Sequence, residues 1–127
     1  MDRHDLALAL AGIIGSCVAL VHGLLVQRLM VRTIEKAFSA GGPVPRPIRR
    51  LVPPLLHFST IVWLLGGLVL VVAALRFGPD ARLATGLLVG ATFLFGAVVN
   101  AWATRGRHPG WMLMALAVAL IGYALAA

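Results

Sequence analysis

Four long apolar runs, none containing Asp, Glu, Lys or Arg, constrain this chain more than any other feature. They cover residues 6–26, 51–75, 83–103 and 111–127, together 84 of 127 positions. A helix needs roughly 20 residues to cross about 30 Å of hydrocarbon. The first three runs reach that length, and the fourth, at 17 residues, stands at its short limit. None alternates strictly between apolar and polar residues, which excludes a β-barrel. Hydrophobic residues make up 61% of the chain and charged residues 12%, against about half and about a quarter in soluble domains. A disordered chain, a soluble enzyme domain and a disulfide-rich module are excluded on that ground. Cys17 is the only cysteine, so no internal disulfide forms. The expected fold is an all-α polytopic membrane protein. It is a single four-transmembrane-helix domain, an up-down bundle with spans at about 6–27, 52–75, 83–103 and 110–127.

The breaks between the runs agree with this division. Pro53-Pro54 open the second run, where proline suits a first helical turn. Phe77-Gly78-Pro79-Asp80 reads as a turn, and Arg105-Gly106-Arg107-His108-Pro109-Gly110 as a tight basic one. Residues 40–47 form an irregular stretch in the longest loop. Ile14-Gly15-Ser16-Cys17 loosely matches a lipoprotein cleavage box. The acidic start and the apolar run continuing past Cys17 favour an uncleaved first span.

Charge gives an orientation. The net charge is +7. The loop after the first run holds Arg28, Arg32, Lys36, Arg46, Arg49 and Arg50, and the loop after the third holds Arg105 and Arg107. The opposite side holds Arg3, Arg76 and Arg82 beside Asp2, Asp5 and Asp80. By the positive-inside rule the eight-charge side is cytoplasmic and both termini are periplasmic, with the bacterial inner membrane as the expected location. The same asymmetry argues against a dual-topology transporter. Aromatic residues lie in or beside the apolar runs rather than among the arginines, so nucleic-acid binding is not expected. In 28–38, Arg28, Arg32 and Lys36 recur every four residues while Met30, Ile34 and Phe38 line another face. Such a segment either lies against headgroups, drawing anionic lipid to Arg28, Arg32, Lys36, Arg49 and Arg50, or simply fixes orientation.

Small residues mark packing faces. Ala7, Ala11, Gly15, Ala19 and Gly23 stand four apart in the first run, and Gly86 and Gly90 form a GxxxG in the third. In lipid such stripes let helices approach closely. They serve either the bundle itself or a homo-oligomer contact through Gly15, Gly86 and Gly90.

Polar side chains within spans usually face the protein interior. His22 lies six residues before Arg28, about 9 Å along a helix, His57 seven after Arg50, about 10 Å, and Asn100 five before Arg105, about 7.5 Å. The expectation is a layer of His22, His57 and Asn100 at one depth, with the two imidazoles hydrogen-bonded to each other. Such a layer would lock the bundle, ligate a haem iron through two histidines, hydrogen-bond a quinone-like head, or pass protons. A zinc ion normally wants three or four ligands. His108 reads as a solvated helix-start residue, with a role as a third ligand as the alternative, Trp111 as an interfacial anchor and Trp63 as a packed one. No phosphate loop, nucleophile elbow or HExxH occurs, and no carboxylate lies inside an apolar run. The leading expectation is therefore a non-enzymatic structural or accessory membrane bundle. The alternatives are a haem- or quinone-binding redox bundle using His22 and His57, and a small oligomeric transporter.

Three segments carry a resemblance: 22–27, then 49–63 with Arg49-Arg50 and His57, then Arg105 to Trp111. They resemble a group of small uncharacterised four-helix bacterial membrane proteins. In that group a Gly-Glu pair often follows the first histidine, where this chain has Val26-Gln27. The departure removes an acidic partner for His22. The resemblance implies a four-helix membrane fold and no particular substrate, cofactor or activity.

Overall fold

The computed structural model of the chain describes residues 2–41 and 44–126. Every regular element among them is helical. Helix α1 runs Arg3–Leu25, continues through a π-helical turn at Val26–Val31, and ends as α2, Arg32–Ala40. Helix α3 is Arg46–Arg76, α4 is Pro79–Ala103 and α5 is Gly110–Leu125. The continuous α1–α2 rod, α3 and α4 are each long and apolar enough to cross a membrane. Helix α5 is apolar but has 16 residues, about 24 Å of rise.

The first three helical rods outrun their apolar stretches, the α1–α2 rod at its end and α3 at its start. Its start at Arg46 places Pro53 and Pro54 inside the helix instead of in its first turn. Pro45 precedes the helix at φ −52° and another proline, Pro47, occupies its first positions, where the missing N–H is harmless. At 53 and 54 two helical hydrogen bonds are absent. The carbonyls left open belong to Arg49 and Arg50, in the basic, exposed part of the helix. Between α3 and α4 only Phe77 and Gly78 intervene, with Pro79 opening α4.

Contacts at one end fix the up-down order. The Asp5 carboxylate on α1 pairs with the Arg82 guanidinium on α4. Arg82 also donates from Nε to the Ala73 carbonyl at 3.1 Å and from Nη2 to the Ala74 carbonyl at 3.0 Å. These are carbonyls in the last turn of α3; that of Ala73 also accepts the Phe77 N–H at 3.2 Å, while that of Ala74 has no partner within the helix. His4 Nδ1 donates to the Tyr123 carbonyl on α5 at 3.2 Å, and the two rings stack with centroids 4.9 Å apart. The starts of α1 and α4 and the ends of α3 and α5 therefore meet in one polar clasp. Asp2 caps α1: its Oδ1 accepts from the His4 and Asp5 N–H groups at 2.8 Å each, and Asp5 Oδ2 accepts from the Asp2 N–H at 3.2 Å. Asp5 thus serves the cap with one oxygen and Arg82 with the other.

The core is a stack of large side chains set against small ones. Phe93, Leu70, Leu8 and Met114 are the largest fully buried residues. Phe93 on α4 lies over Gly15 on α1, where any Cβ would fall within its ring. Helices α1 and α3 cross backbone to backbone at Gly12 and Gly67, each glycine facing the other's carbonyl. Trp63 rests on Gly96, and Leu125 covers Gly86. Helix α5 buries Met114, Ala117 and Ile121 against α1 and α4, closing the ring. Gly15, Gly86 and Gly90 each meet side chains of their own bundle. Outside, leucines, valines and phenylalanines are exposed along every helix, among them Leu24, Leu55, Leu88 and Phe95.

Candidate functional site

The polar residues within the apolar helices gather toward the end opposite the clasp. The antiparallel crossing of α1 and α3 sets their pairing. Gly23 lies beneath Thr60, whose Cγ2 would stand 2.7 Å from a Cβ there. One residue away on each helix, His22 Nε2 and Ser59 Oγ share a hydrogen bond at 3.2 Å. The His22 ring also packs against Trp63, centroids 4.7 Å apart and planes tilted by 50°.

His57 goes elsewhere. Its Nε2 donates to Gln27 Oε1 at 2.9 Å, at the exposed edge of the α1–α3 seam. The expected hydrogen bond between the two histidines is therefore not formed. Two residues along a helix turn the side chain by about 200°, so with Ser59 toward His22, His57 leaves from another flank of α3. Matched distances from the arginines set the depth and left this angle open. Gln27 supplies the acceptor instead.

Asn100 does join His22, and the third member is His108. Two cavities, each about 380 Å³, meet at these three residues. The first lies between α1 and α5 and is walled by Ile13, Cys17, Val21 and Leu113. The second lies among α1, α3 and α4 and is walled by Met30, Trp63, Phe95 and Val99, with Ser59 at one side. His22, Asn100 and His108 line both, and no Lys, Arg, Asp or Glu lines either. Volumes of this size, apolar walls and a few convergent polar groups are the usual form of a small-molecule site.

His108 reaches this place because of the α4–α5 turn. Helix α4 ends in a Schellman motif. Gly106 N–H donates to the Ala101 carbonyl at 2.7 Å, and Arg105 N–H to the Trp102 carbonyl at 3.2 Å. Arg105 and Gly106 take positive φ values of 51° and 72°. Trp111 Nε1 then donates to the Gly106 carbonyl at 3.1 Å, tying the turn to α5. His108 Nδ1 accepts the Gly110 N–H at 3.1 Å, satisfying an unpaired donor at the start of α5. The ring is half-buried rather than solvated. Because Nδ1 accepts, the proton of the neutral ring sits on Nε2. The Asn100 carbonyl accepts from Thr104 Oγ1 at 2.7 Å, whereas its side-chain amide has no hydrogen-bond partner among the described residues.

The π-helical turn begins one helical turn after His22, at Val26, and supplies Val26, Leu29 and Met30 to the second cavity. Such turns widen a helix locally and occur often at functional sites. Among the described residues, no cluster of three or more His, Cys, Asp or Glu side chains is placed to hold a metal ion.

Beyond the cavities, α2 and the start of α3 enclose a polar groove of about 590 Å³, lined by Arg32, Glu35, Lys36, Ser39 and Arg49. Arg49 Nη2 donates to Ser39 Oγ at 3.3 Å across it. Arg28, Arg46, Arg50, Arg105 and Arg107 are also exposed at this end.

The sequence reading set His108 at a helix start and favoured a solvated ring over a ligand role, and it did not pair Ser59 with His22 or Gln27 with His57. For His108 a signal existed: a histidine two residues before a Gly that opens a helix suits an N-terminal cap. For Ser59 and Gln27 it did not, since only the crossing of α1 and α3 pairs them. Comparison with protein-family models, with curated proteins and with solved structures finds no match to this chain.

Proposed function

We propose that the chain is a multi-pass protein of a bacterial inner membrane. It spans four times, keeps both termini on the periplasmic side, and serves as a non-enzymatic structural or accessory bundle. One observation carries the reading: the helices expose apolar side chains all round, while eight basic residues collect at one end. Helix α5, although short, is apolar and packed on both sides by longer helices, so it shares their environment. The basic end lies at the cytoplasmic leaflet, where Arg28, Arg32, Lys36, Arg49 and Arg50 attract anionic lipid at about 1 kcal/mol per basic residue near the surface. Reporter fusions in the α2–α3 loop and at Gly106 test the topology. Activity of a periplasmic reporter at either site would overturn the orientation.

The other readings draw less support. Ligation of haem by His22 and His57 would require both rings to abandon their partners, Ser59 and Gln27. A visible spectrum of the purified protein decides it, since bound haem gives a Soret band. Ionisable groups inside the membrane mark the paths of many transporters, and the two cavities are lined by His22, His108 and Cys17 but by no carboxylate, lysine or arginine.

A further inference from the structure

We infer that the His22–Asn100–His108 cluster is a binding site for a neutral, lipid-soluble molecule whose flat ring bears carbonyl groups, a quinone in its oxidised form. The inference rests on the membrane placement proposed above but not on its orientation, and it uses His108 in place of His57.

Charge narrows the ligand first. A fatty acid or a phospholipid head brings an anion, which calls for Arg or Lys, and a cationic amphiphile calls for a carboxylate. Neither cavity has such a residue on its walls. Hydrogen-bonding capacity narrows it further. The Asn100 amide has two N–H donors without protein partners. His108 directs its Nε2 proton away from Nδ1, which is engaged by Gly110. Unspent donors in apolar surroundings are matched by ligand acceptors, and two carbonyls on one ring offer them. Shape is the third constraint. The indole of Trp63 and the ring of Phe95 line the second cavity beside His22, and flat rings stack on such surfaces. The two cavities continue away from the cluster between apolar walls, which leaves room for ring substituents on one side and an apolar tail on the other.

The test uses the full chain in phosphatidylcholine nanodiscs, with Trp102→Phe and Trp111→Phe so that Trp63 is the only indole. A decyl-substituted benzoquinone is titrated and Trp63 quenching is read. Saturable quenching is expected, with none from decylbenzene, which has the tail and ring but no carbonyl. Asn100→Leu should weaken binding about tenfold, the loss of one or two hydrogen bonds. Val99→Phe fills the second cavity without touching a polar group and should weaken it at least as much. Should Asn100→Leu fail to fold, Val99→Phe decides alone. His57→Phe should bind as the parent does. Quenching that never saturates, equal binding of decylbenzene, or saturable binding indifferent to both Val99→Phe and Asn100→Leu would each overturn the site. Alkaline extraction of the same membranes separates the two proposals. A chain that is released refutes the membrane placement, and one that stays inserted but does not bind refutes this inference alone.

Discussion

The contact between Gly15 and Phe93 permits a test of the bundle core that depends on one crossing. Phe93 is fully buried, and a methyl at Gly15 would fall inside its ring. With the bundle placed in lipid, as proposed above, the transfer term for a phenyl group largely vanishes, because the separated helices still hold it in hydrocarbon. What remains is the cavity. Phe93→Ala removes roughly 100 Å³, and at about 24 cal/mol per Å³ the cost is about 2 kcal/mol. Gly15→Ala alone overpacks the site, at about 1–3 kcal/mol. With both changes the new methyl enters the space left by the ring, and alanine regains up to about 1 kcal/mol of helix propensity over glycine. Gly15→Ala should therefore turn from destabilising to neutral or stabilising in the Phe93→Ala background, a coupling of about 2 kcal/mol. Reversible unfolding in mixed micelles titrated with sodium dodecyl sulfate, followed by tryptophan fluorescence, measures all four variants. Effects that add to within about 0.5 kcal/mol would mean that the residues do not touch, and the placement of α4 over α1 would be wrong.

Three further outcomes follow from named contacts. Arg82→Ala releases Asp5 and the Ala74 carbonyl at once, and should lower stability by about 1–3 kcal/mol; Arg82→Lys should recover only part of it in the same unfolding assay, because an ammonium's three N–H donors radiate from one nitrogen and do not span the acceptors that Arg82 reaches from Nε, Nη1 and Nη2. His22→Leu should cost about 0.6–2 kcal/mol, and His57→Leu, at the exposed edge, clearly less; equal losses would contradict the partner assignment. The Asp5 backbone N–H, helped by that of His4, holds the Asp2 carboxyl below the usual carboxylate range; a lowered folded-state value means that the cap is complete above the ordinary carboxylate pKa and is lost as pH falls through and below it, so amide protection factors in the first turn of α1, taken against the intrinsic exchange rate at each pH, should fall there more than in Asp2→Asn.

The sequence determined the helices, their number and their order, because uncharged apolar runs of 17 to 25 residues separated by basic or Pro-Gly breaks satisfy their backbone groups most simply as separate helices. It also determined that His22 and Asn100 lie in one layer, since rise per residue converts a count from an arginine into a depth. Which way a side chain points around its helix was a different matter. Rotation depends on where neighbours cross, and that was set by glycines meeting carbonyls at Gly12 and Gly67 and by Phe93 seating on Gly15. Those contacts turned Ser59 toward His22 and sent His57 to Gln27. Asp2, Asp5 and Arg82, which as a count of charges spoke only of orientation, became a cap and a clasp once α1, α3 and α4 shared an end. His108 entered the site through the left-handed Arg105-Gly106 turn, which folds the α4–α5 loop back over the bundle. Depth is a one-dimensional property that a chain carries in its spacing, whereas facing is a property of pairs of helices and exists only after they pack.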